Sequence, residues 1–371
     1  MMVYLDNSAT TKQYKEVTEA MVQCMEEDFG NPSSMHRLGI DAEKKVKKAR
    51  NQVAEALGVK ADEIIFTSGG TESDNTAIFG AAYAKKRRGN KLITSQVEHP
   101  AVLEAFKKLE AEGFEVVYLP VDEYCRVSLE DYKNALDDNV IFTSIMTVNN
   151  EVGSIMPIKE MYAAKPADSI FHTDAVQAFG KMQVPVTDMI SISGHKIHGP
   201  KGIGALYVKK GLNIKPFMVG GGQEKHMRSG TENVPAIVGL GQAAEMIKMG
   251  QTREAKLHLL NGILAEVPDV KINSPEDGLD NILNVSFLGT RSEVILHTLE
   301  QDGIYVSAGS ACSSNKKGRS HVLAAMGLSD KEIEGAIRFS LNEFNTIEEM
   351  DYVIDKVKAA VGRFRRLGSF R

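Results

Sequence analysis

An α/β fold built on one large, mostly parallel sheet, followed by a smaller α+β unit, is the architecture the sequence predicts. The first observation behind this is length: 371 residues exceed what one hydrophobic core usually organises, so two units with a cleft between them are expected. The second is alternation. Between about residues 40 and 245, apolar helical stretches alternate with short β-branched or apolar runs, the signature of strand–helix–strand units. The third is a change of pattern after that span, where strand candidates such as Ile282–Phe287 precede helical stretches ending near Gly362.

Taken in order, Glu63–Thr67, Lys91–Thr94, Val116–Leu119 and Val140–Ser144 read as strands. Ser169–Thr173, Met189–Ser193 and Gly204–Val208 supply three more, giving a seven-stranded sheet with room for mixed pairing. Thr231–Gly262 reads as largely helical. No 20–50-residue repeat and no low-complexity block interrupts the chain, and the basic tail Gly362–Arg371 reads as a solvated or frayed end rather than a docking peptide.

Composition narrows the function. With 43% hydrophobic and 25% charged residues, the chain is an ordinary globular sequence rather than a disordered one. A net charge of -5 gives no global footprint for nucleic acid or an anionic membrane, so a small substrate is expected. The opening Met-Met-Val-Tyr-Leu-Asp has neither a basic nor an apolar leader region, and no apolar run reaches the roughly 20 residues needed to span a bilayer, so the expected location is the cytoplasm. Cys24, Cys125 and Cys312 are odd in number, far apart and without Cys-x-x-Cys spacing, which favours a free thiol over a disulfide framework or a zinc site.

Ser193-Gly-His-Lys196 follows an apolar strand and leads into a Gly/Pro turn, placing a lysine where open α/β sheets bind ligands. Hydroxyl, imidazole and amine beside Gly194 suit a phosphate plus an aldehyde: Ser193 and His195 contact the phosphate and Lys196 forms a Schiff base. His195 and His198 have no carboxylate or thiol neighbours to complete a metal-ligand set. Upstream, Phe66-Thr-Ser-Gly-Gly70-Thr71 passes from strand through two glycines into a helix, exposing N–H groups that bind phosphate. Asp174 at a strand end can pair with a protonated pyridine nitrogen, Gln177 can reach the same ring's phenolic oxygen, and His99 can stack on it.

These residues, with the blocks Tyr4–Thr11, Gly30–Ser34, Val148–Gly153, Gly220–Glu224, Arg228–Asn233, Gly309–Ser313 and Arg338–Ser340, closely resemble the cysteine desulfurases of the fold-type I, aminotransferase class-V-like pyridoxal-phosphate enzymes. Nearly the whole chain is covered. The resemblance implies pyridoxal 5'-phosphate as cofactor, with Gly70, Thr71, Ser193, Gly194 and His195 on its phosphate and Asp174, Gln177 and His99 on its ring. It implies Asn150 on the phenolic oxygen or the substrate, Arg338 on the substrate carboxylate, and Thr231 reaching the phosphate of a partner subunit, hence a homodimer. It also implies a large cofactor-binding domain over residues 15–245 and a small domain of residues 1–14 and 246–371 that carries the cysteine loop.

Cys312 decides between reactions. It lies in the small, polar, glycine-bearing stretch Ser307–His321, expected to be a mobile loop, with Lys316, Lys317 and Arg319 favouring its thiolate. Cys24 reads as structural; the role of Cys125 beside Arg126 stays open. The implied reaction converts L-cysteine to L-alanine, with Lys196 moving the Cα proton, Cys312 taking the sulfur as a persulfide and His99 serving proton transfers at the thiol. The sulfur then passes to an acceptor protein for iron–sulfur, transfer-RNA or thio-cofactor biosynthesis. Rival readings are a selenocysteine lyase, an aminotransferase with no use for Cys312, and a non-catalytic sulfur-assembly scaffold. Two stretches, Ala163–Ser169 and Gly180–Asp188, look shorter than is usual in the family and are expected to trim surface connections.

Overall fold

The computed structural model describes residues 1–308 and 319–368. After a short first strand, β1 (Val3–Tyr4), come seven that form one sheet: β2 (Ile64–Thr67), β3 (Lys91–Ser95), β4 (Glu115–Leu119), β5 (Val140–Ser144), β6 (Ile170–Asp174), β7 (Met189–Ser193) and β8 (Gly204–Val208). Their order is β2-β8-β7-β6-β5-β3-β4, and β8 alone runs against its neighbours β2 and β7. The sheet is therefore mostly parallel, with the mixed pairing confined to one strand.

All residues of β5, β6 and β7 are buried, as a parallel sheet with helices on both faces requires. Ile190 and Ile192 of β7 join Val46, Val53 and Leu240 from helices Arg37–Leu57 and Val234–Glu245. On the opposite face Met189 and Leu206 join Ile78, Phe79 and Phe106 from helices Gly70–Lys85 and Pro100–Ala111. Period-two alternation along each strand assigns these faces. The expected helical stretch 231–262 is in fact two helices, Val234–Glu245 and Arg253–Glu266. Between them Gly250 turns to a φ of 78°, which no helix continues through.

The later strands β9 (Val270–Ile272), β10 (Ile282–Phe287), β11 (Ile304–Tyr305), β12 (Ser307–Ala308) and β13 (Ala336–Ser340) make an antiparallel sheet ordered β12-β13-β10-β9, with β11 pairing instead with β1. Leu283, Val285, Phe287 and Phe339 pack there against Leu259, Ile263, Val353 and Val357. The basic tail is not simply frayed: the last helix runs Ile347–Gly368, and Arg365 donates to the carbonyls of Leu288, Pro268 and Asp269 at 2.8–2.9 Å. Three backbone carbonyls hold one guanidinium, so the helix is tied down at Arg365.

Two consequences position the site. The carboxyl ends of β2, β3, β5, β6 and β7 share one edge of the large sheet, where ligands of open α/β sheets bind. The N-terminal segment crosses from the small sheet to that edge: Asn7 N bonds Ser340 O at 3.2 Å, and Thr11 N bonds His195 O at 2.9 Å.

Candidate active site

At the end of β2 the chain turns through Gly69 and Gly70 into a sixteen-residue helix. A Cβ on Gly70 would stand 2.8 Å from Val176 Cγ2, and one on Gly204 would stand 2.8 Å from Gly69 Cα. Glycine at both positions lets the β2 turn, the β6 turn and the start of β8 approach closely. The resulting hollow is lined by Thr10, Gly70, Thr71, Ser193, His195 and Lys201. Its floor is the helix N-terminus, whose first N–H groups have no partner within the helix and carry the positive end of its dipole. An anion is what this hollow fits. Burial and the nearby Lys196 charge push His195 down to about 4, so it is a neutral hydrogen-bonding group.

Lys196 ends the turn Gly194–Lys196 after β7. Its Nζ donates to Ser8 O at 2.5 Å and Ala9 O at 2.8 Å, two carbonyls delivered by the N-terminal segment. Asp174 ends β6, one strand over, and its Oδ1 accepts from Val176 N at 2.9 Å. Burial pushes the Asp174 carboxyl up, while the His99 and Lys196 charges pull it back. A cation placed against it would tip it to the carboxylate. His99 caps the helix Pro100–Ala111, its Nδ1 accepting from Ala101 N at 3.1 Å, so the neutral ring carries its proton on Nε2. Burial holds its pKa below the usual range. Beneath it, fully buried Glu98 is pushed up to about 8 by desolvation, and it accepts from Met146 N at 3.0 Å.

Gln177 is buried three residues beyond Asp174. Its amide is committed on both sides: Nε2 donates to Ser8 O at 2.8 Å and Oε1 accepts from Lys181 Nζ at 2.9 Å. Lys181 and Lys196 line one cavity of about 60 Å³. Burial, with the charges of Lys196 and Arg338, lowers Lys181 to about 7. The stretch 180–188, expected to be a trimmed surface connection, therefore supplies a wall of the site. Val184, Thr187 and Asp188 are buried in it, and Asp188 Oδ2 accepts from Phe171 N at 3.0 Å.

Arg338 lies in β13, 4% exposed, and reaches the site from the small sheet. Its Nη1 donates to Asn150 O at 3.0 Å and its Nη2 to Asp6 Oδ1 at 2.8 Å, while Nε is buried without a partner. That leaves a fixed, incompletely satisfied guanidinium edge, suited to a carboxylate. Ser307 of β12 pairs with Arg338. Two later residues are tied beside the same site: Ser320 Oγ donates to Glu151 Oε2, and His321 Nε2 meets Glu98 O at 3.0 Å. Cys312, Lys316 and Lys317 lie outside the described residues. Arg319, expected to favour the thiolate, pairs with Asp330 at 2.8 Å.

Of the other sequence candidates, Cys24 and Cys125 are buried, and burial lifts both thiols, Cys125 well above its ordinary value. Both are poor nucleophiles. Thr231 does not join its own chain's hollow; it is exposed and lines a groove with Phe29 and Pro32. Among the described residues no cluster of His, Cys, Asp and Glu is placed to hold a metal ion, and no helix is long and apolar enough to cross a membrane. Sequence reasoning assigned no role to Asp6, Ser8, Ala9, Lys181 or Lys201. The signal for the first three was in the Tyr4–Thr11 block, which matched the family without a stated function.

Comparison with known proteins agrees with this geometry. The family model described as aminotransferase class-V matches residues 3–353. A cysteine desulfurase IscS from Methanosarcina thermophila is 47% identical over 377 residues, 98% of this chain and 93% of the relative. A solved NifS-like protein superposes with a TM-score of 0.91 at 39% identity, covering 98% of this chain and all of the other. SspA, solved in complex with cysteine, gives 0.84 at 36% identity over 93% of this chain and all of that one. With hollow, lysine, acid and arginine in these positions and relatives matched end to end, the chain belongs to the aminotransferase class-V family, among its cysteine desulfurases.

Proposed function

We propose that this enzyme takes sulfur from L-cysteine, releases L-alanine and stores the sulfur on Cys312 as a persulfide for an acceptor protein. The observation that carries the reading is the convergence of Lys196, Asp174 and His99 beside an anion hollow at the strand ends, facing Arg338 across the cleft. Pyridoxal 5'-phosphate fits the residues present. Its phosphate suits the hollow of Gly70, Thr71, Ser193 and His195 with Gly194 between the last two, its aldehyde suits Lys196, and its ring nitrogen suits the buried carboxyl of Asp174 at the end of β6. The bound cofactor supplies an electron sink for the Cα carbanion of an amino acid.

The remaining work falls to side chains. Arg338 and Asn150 orient the substrate through its carboxylate. Lys196, whose Nζ donates to the carbonyls of Ser8 and Ala9, moves between holding the cofactor and carrying the Cα proton. His99, whose Nδ1 is taken up by Ala101 N, has Nε2 to handle the thiol proton. The Cys312 thiolate attacks the substrate sulfur: the Cβ–S bond breaks, an S–S bond forms, and Cβ gains a proton to complete alanine. The anchored flanks at Ser307 and Ser320 support delivery of the Cys312 segment to this place. Gln177 is assigned to the phenolic oxygen, exchanging its present bond to Ser8 for it.

Three parts of the reading concern setting. A homodimer is supported by Thr231, exposed next to Phe29, and by apolar side chains left in solvent: Phe29 at 69%, Met35 at 88% and Val219 at 81%. The division into residues 15–245 and residues 1–14 with 246–371 puts the seven-stranded sheet in the first unit and the β1–β11 pair and the four-stranded sheet in the second. Cytoplasmic location and an acceptor in iron–sulfur, transfer-RNA or thio-cofactor synthesis complete it. The test is to incubate protein with L-cysteine and a reductant, measuring sulfide and alanine together, beside Cys312→Ala and Lys196→Ala. Equal amounts of both products, lost in both variants, support the proposal; alanine without sulfide, or pyruvate formed from alanine, contradicts it.

A further inference from the structure

Between β8 and the helix Val234–Glu245 lies a segment in which, Thr231 apart, no residue has a part in the proposed reaction. Three successive non-glycine residues, Glu224, Lys225 and His226, have φ values of 46°, 56° and 65°. L-residues enter this region rarely and singly, and a run of three persists only where the surroundings over-determine it. Here the determinant is the Glu224 carboxylate, 3% exposed. Its Oε1 accepts from Arg50 Nη2 at 2.7 Å, and its Oε2 accepts from Arg50 Nη1 at 2.8 Å and Phe66 N at 3.0 Å. Arg50 in turn donates to Ile64 O at 2.7 Å and lies 4.6 Å over the Phe66 ring. Ile64 and Phe66 belong to β2, the strand that leads into Gly70.

The tie is repeated a few residues on. Arg228 Nε donates to Glu72 Oε1 at 2.9 Å, in the first turn of the hollow's helix. Ser229 N bonds Met218 O at 3.1 Å and Gly230 N bonds Gln223 Oε1 at 2.9 Å, closing the loop on itself. Thr231 is the next residue, and it is exposed. A rigid, doubly anchored loop that ends on an exposed hydroxyl presents that hydroxyl outward in one orientation.

We propose that the Arg50–Glu224 pair is a positioning device that fixes this strained loop so that Thr231 reaches the cofactor phosphate in the partner subunit, making each site depend on a clamp in the other chain. The proposal rests on the homodimer reading above. Arg50 and Glu224 touch neither substrate nor cofactor; they act through Thr231.

The test compares Thr231→Val with the double variant Arg50→Met/Glu224→Met, which removes both charges so that neither is left buried and unpaired. Apo protein is titrated with pyridoxal phosphate and the dimer mass is measured. Each variant should raise the cofactor Kd by about tenfold or more, the loss of one charge-assisted hydrogen bond, without loss of the dimer. Mixed dimers are then isolated through two affinity tags, one chain carrying Lys196→Ala and the other the double variant. Only the second chain's site can form the lysine-linked absorbance, and its partner's clamp is intact, so its Kd should return to the wild-type value. If Thr231→Val leaves Kd unchanged, the dimer contact itself is wrong and the proposal falls with it. If Thr231→Val weakens binding and the double variant does not, only the clamp is overturned. A mixed dimer that stays weak overturns it too, by placing the effect within one chain. Should the double variant aggregate, Glu224→Gln keeps the side chain's shape and enters the same comparison.

Discussion

Lys196 and Arg338 face one cleft but are held in unlike ways. Around Lys196, the side chains of Asp174, Gln177, Lys181, Ser193 and His195 come from two adjacent strands and the turns that follow them, and the N-terminal segment adds the carbonyls of Ser8 and Ala9. Arg338 depends on Asp6 and Asn150, 332 and 188 residues away in sequence, and on β12 beside it. Those two carbonyls apart, the first half of the site is a property of sheet topology. The second exists only once the N-terminal segment, the β5 turn and the small sheet have come together. The lysine side should therefore fail in chemistry when altered, and the arginine side in substrate binding.

The largest effect expected is from Lys196→Ala, which on the proposed function removes both the cofactor linkage and the proton carrier and should lower kcat by at least about 10²–10⁴-fold. Residual turnover well above that range would identify Lys181, the neighbouring amine held at about 7, as a substitute and would weaken the contrast. Next is Arg338→Lys. Losing the rigid guanidinium edge should raise the KM for L-cysteine by about tenfold or more while leaving cofactor affinity unchanged. A fall in cofactor affinity of similar size would show that the two halves are not separable.

A smaller effect tests the buried floor of the lysine side. Glu98 has a folded-state pKa raised to about 8 against an ordinary 4.5, so the folded protein binds its proton more tightly than the unfolded chain. Stability should then fall as pH rises from the unfolded value through about 8, and Glu98→Gln should remove that part of the slope. Thermal unfolding of wild type and variant near pH 8 and about pH 5 measures this. A variant that gains no more at the higher pH would mean that Glu98 is already ionised in the folded protein.

The same contrast explains what could be read from sequence. The hollow and Lys196 were legible because strand, glycine turn and helix start are contiguous, and Asp174 because it ends a recognisable strand. Arg338 carried no local mark; in isolation its stretch reads as any strand with a cation, and only the family resemblance gave it a role. Lys181 was illegible for another reason. Its stretch looks like a loop, and nothing local shows that Gly180 and Val184 turn it inward against Gln177. The break at Gly250 shows a further limit: apolar periodicity on both sides of a single glycine reads as one helix, while the backbone there decides for two.

The most direct test of the central claim is to bind pyridoxal phosphate, reduce the adduct with borohydride and map the labelled peptide. Lys181, Lys196 and Lys201 all lie around the site, and burial lowers Lys181 to about 7. This account predicts one label per chain, on Lys196. A label on Lys181 or Lys201, or none at all, would contradict it.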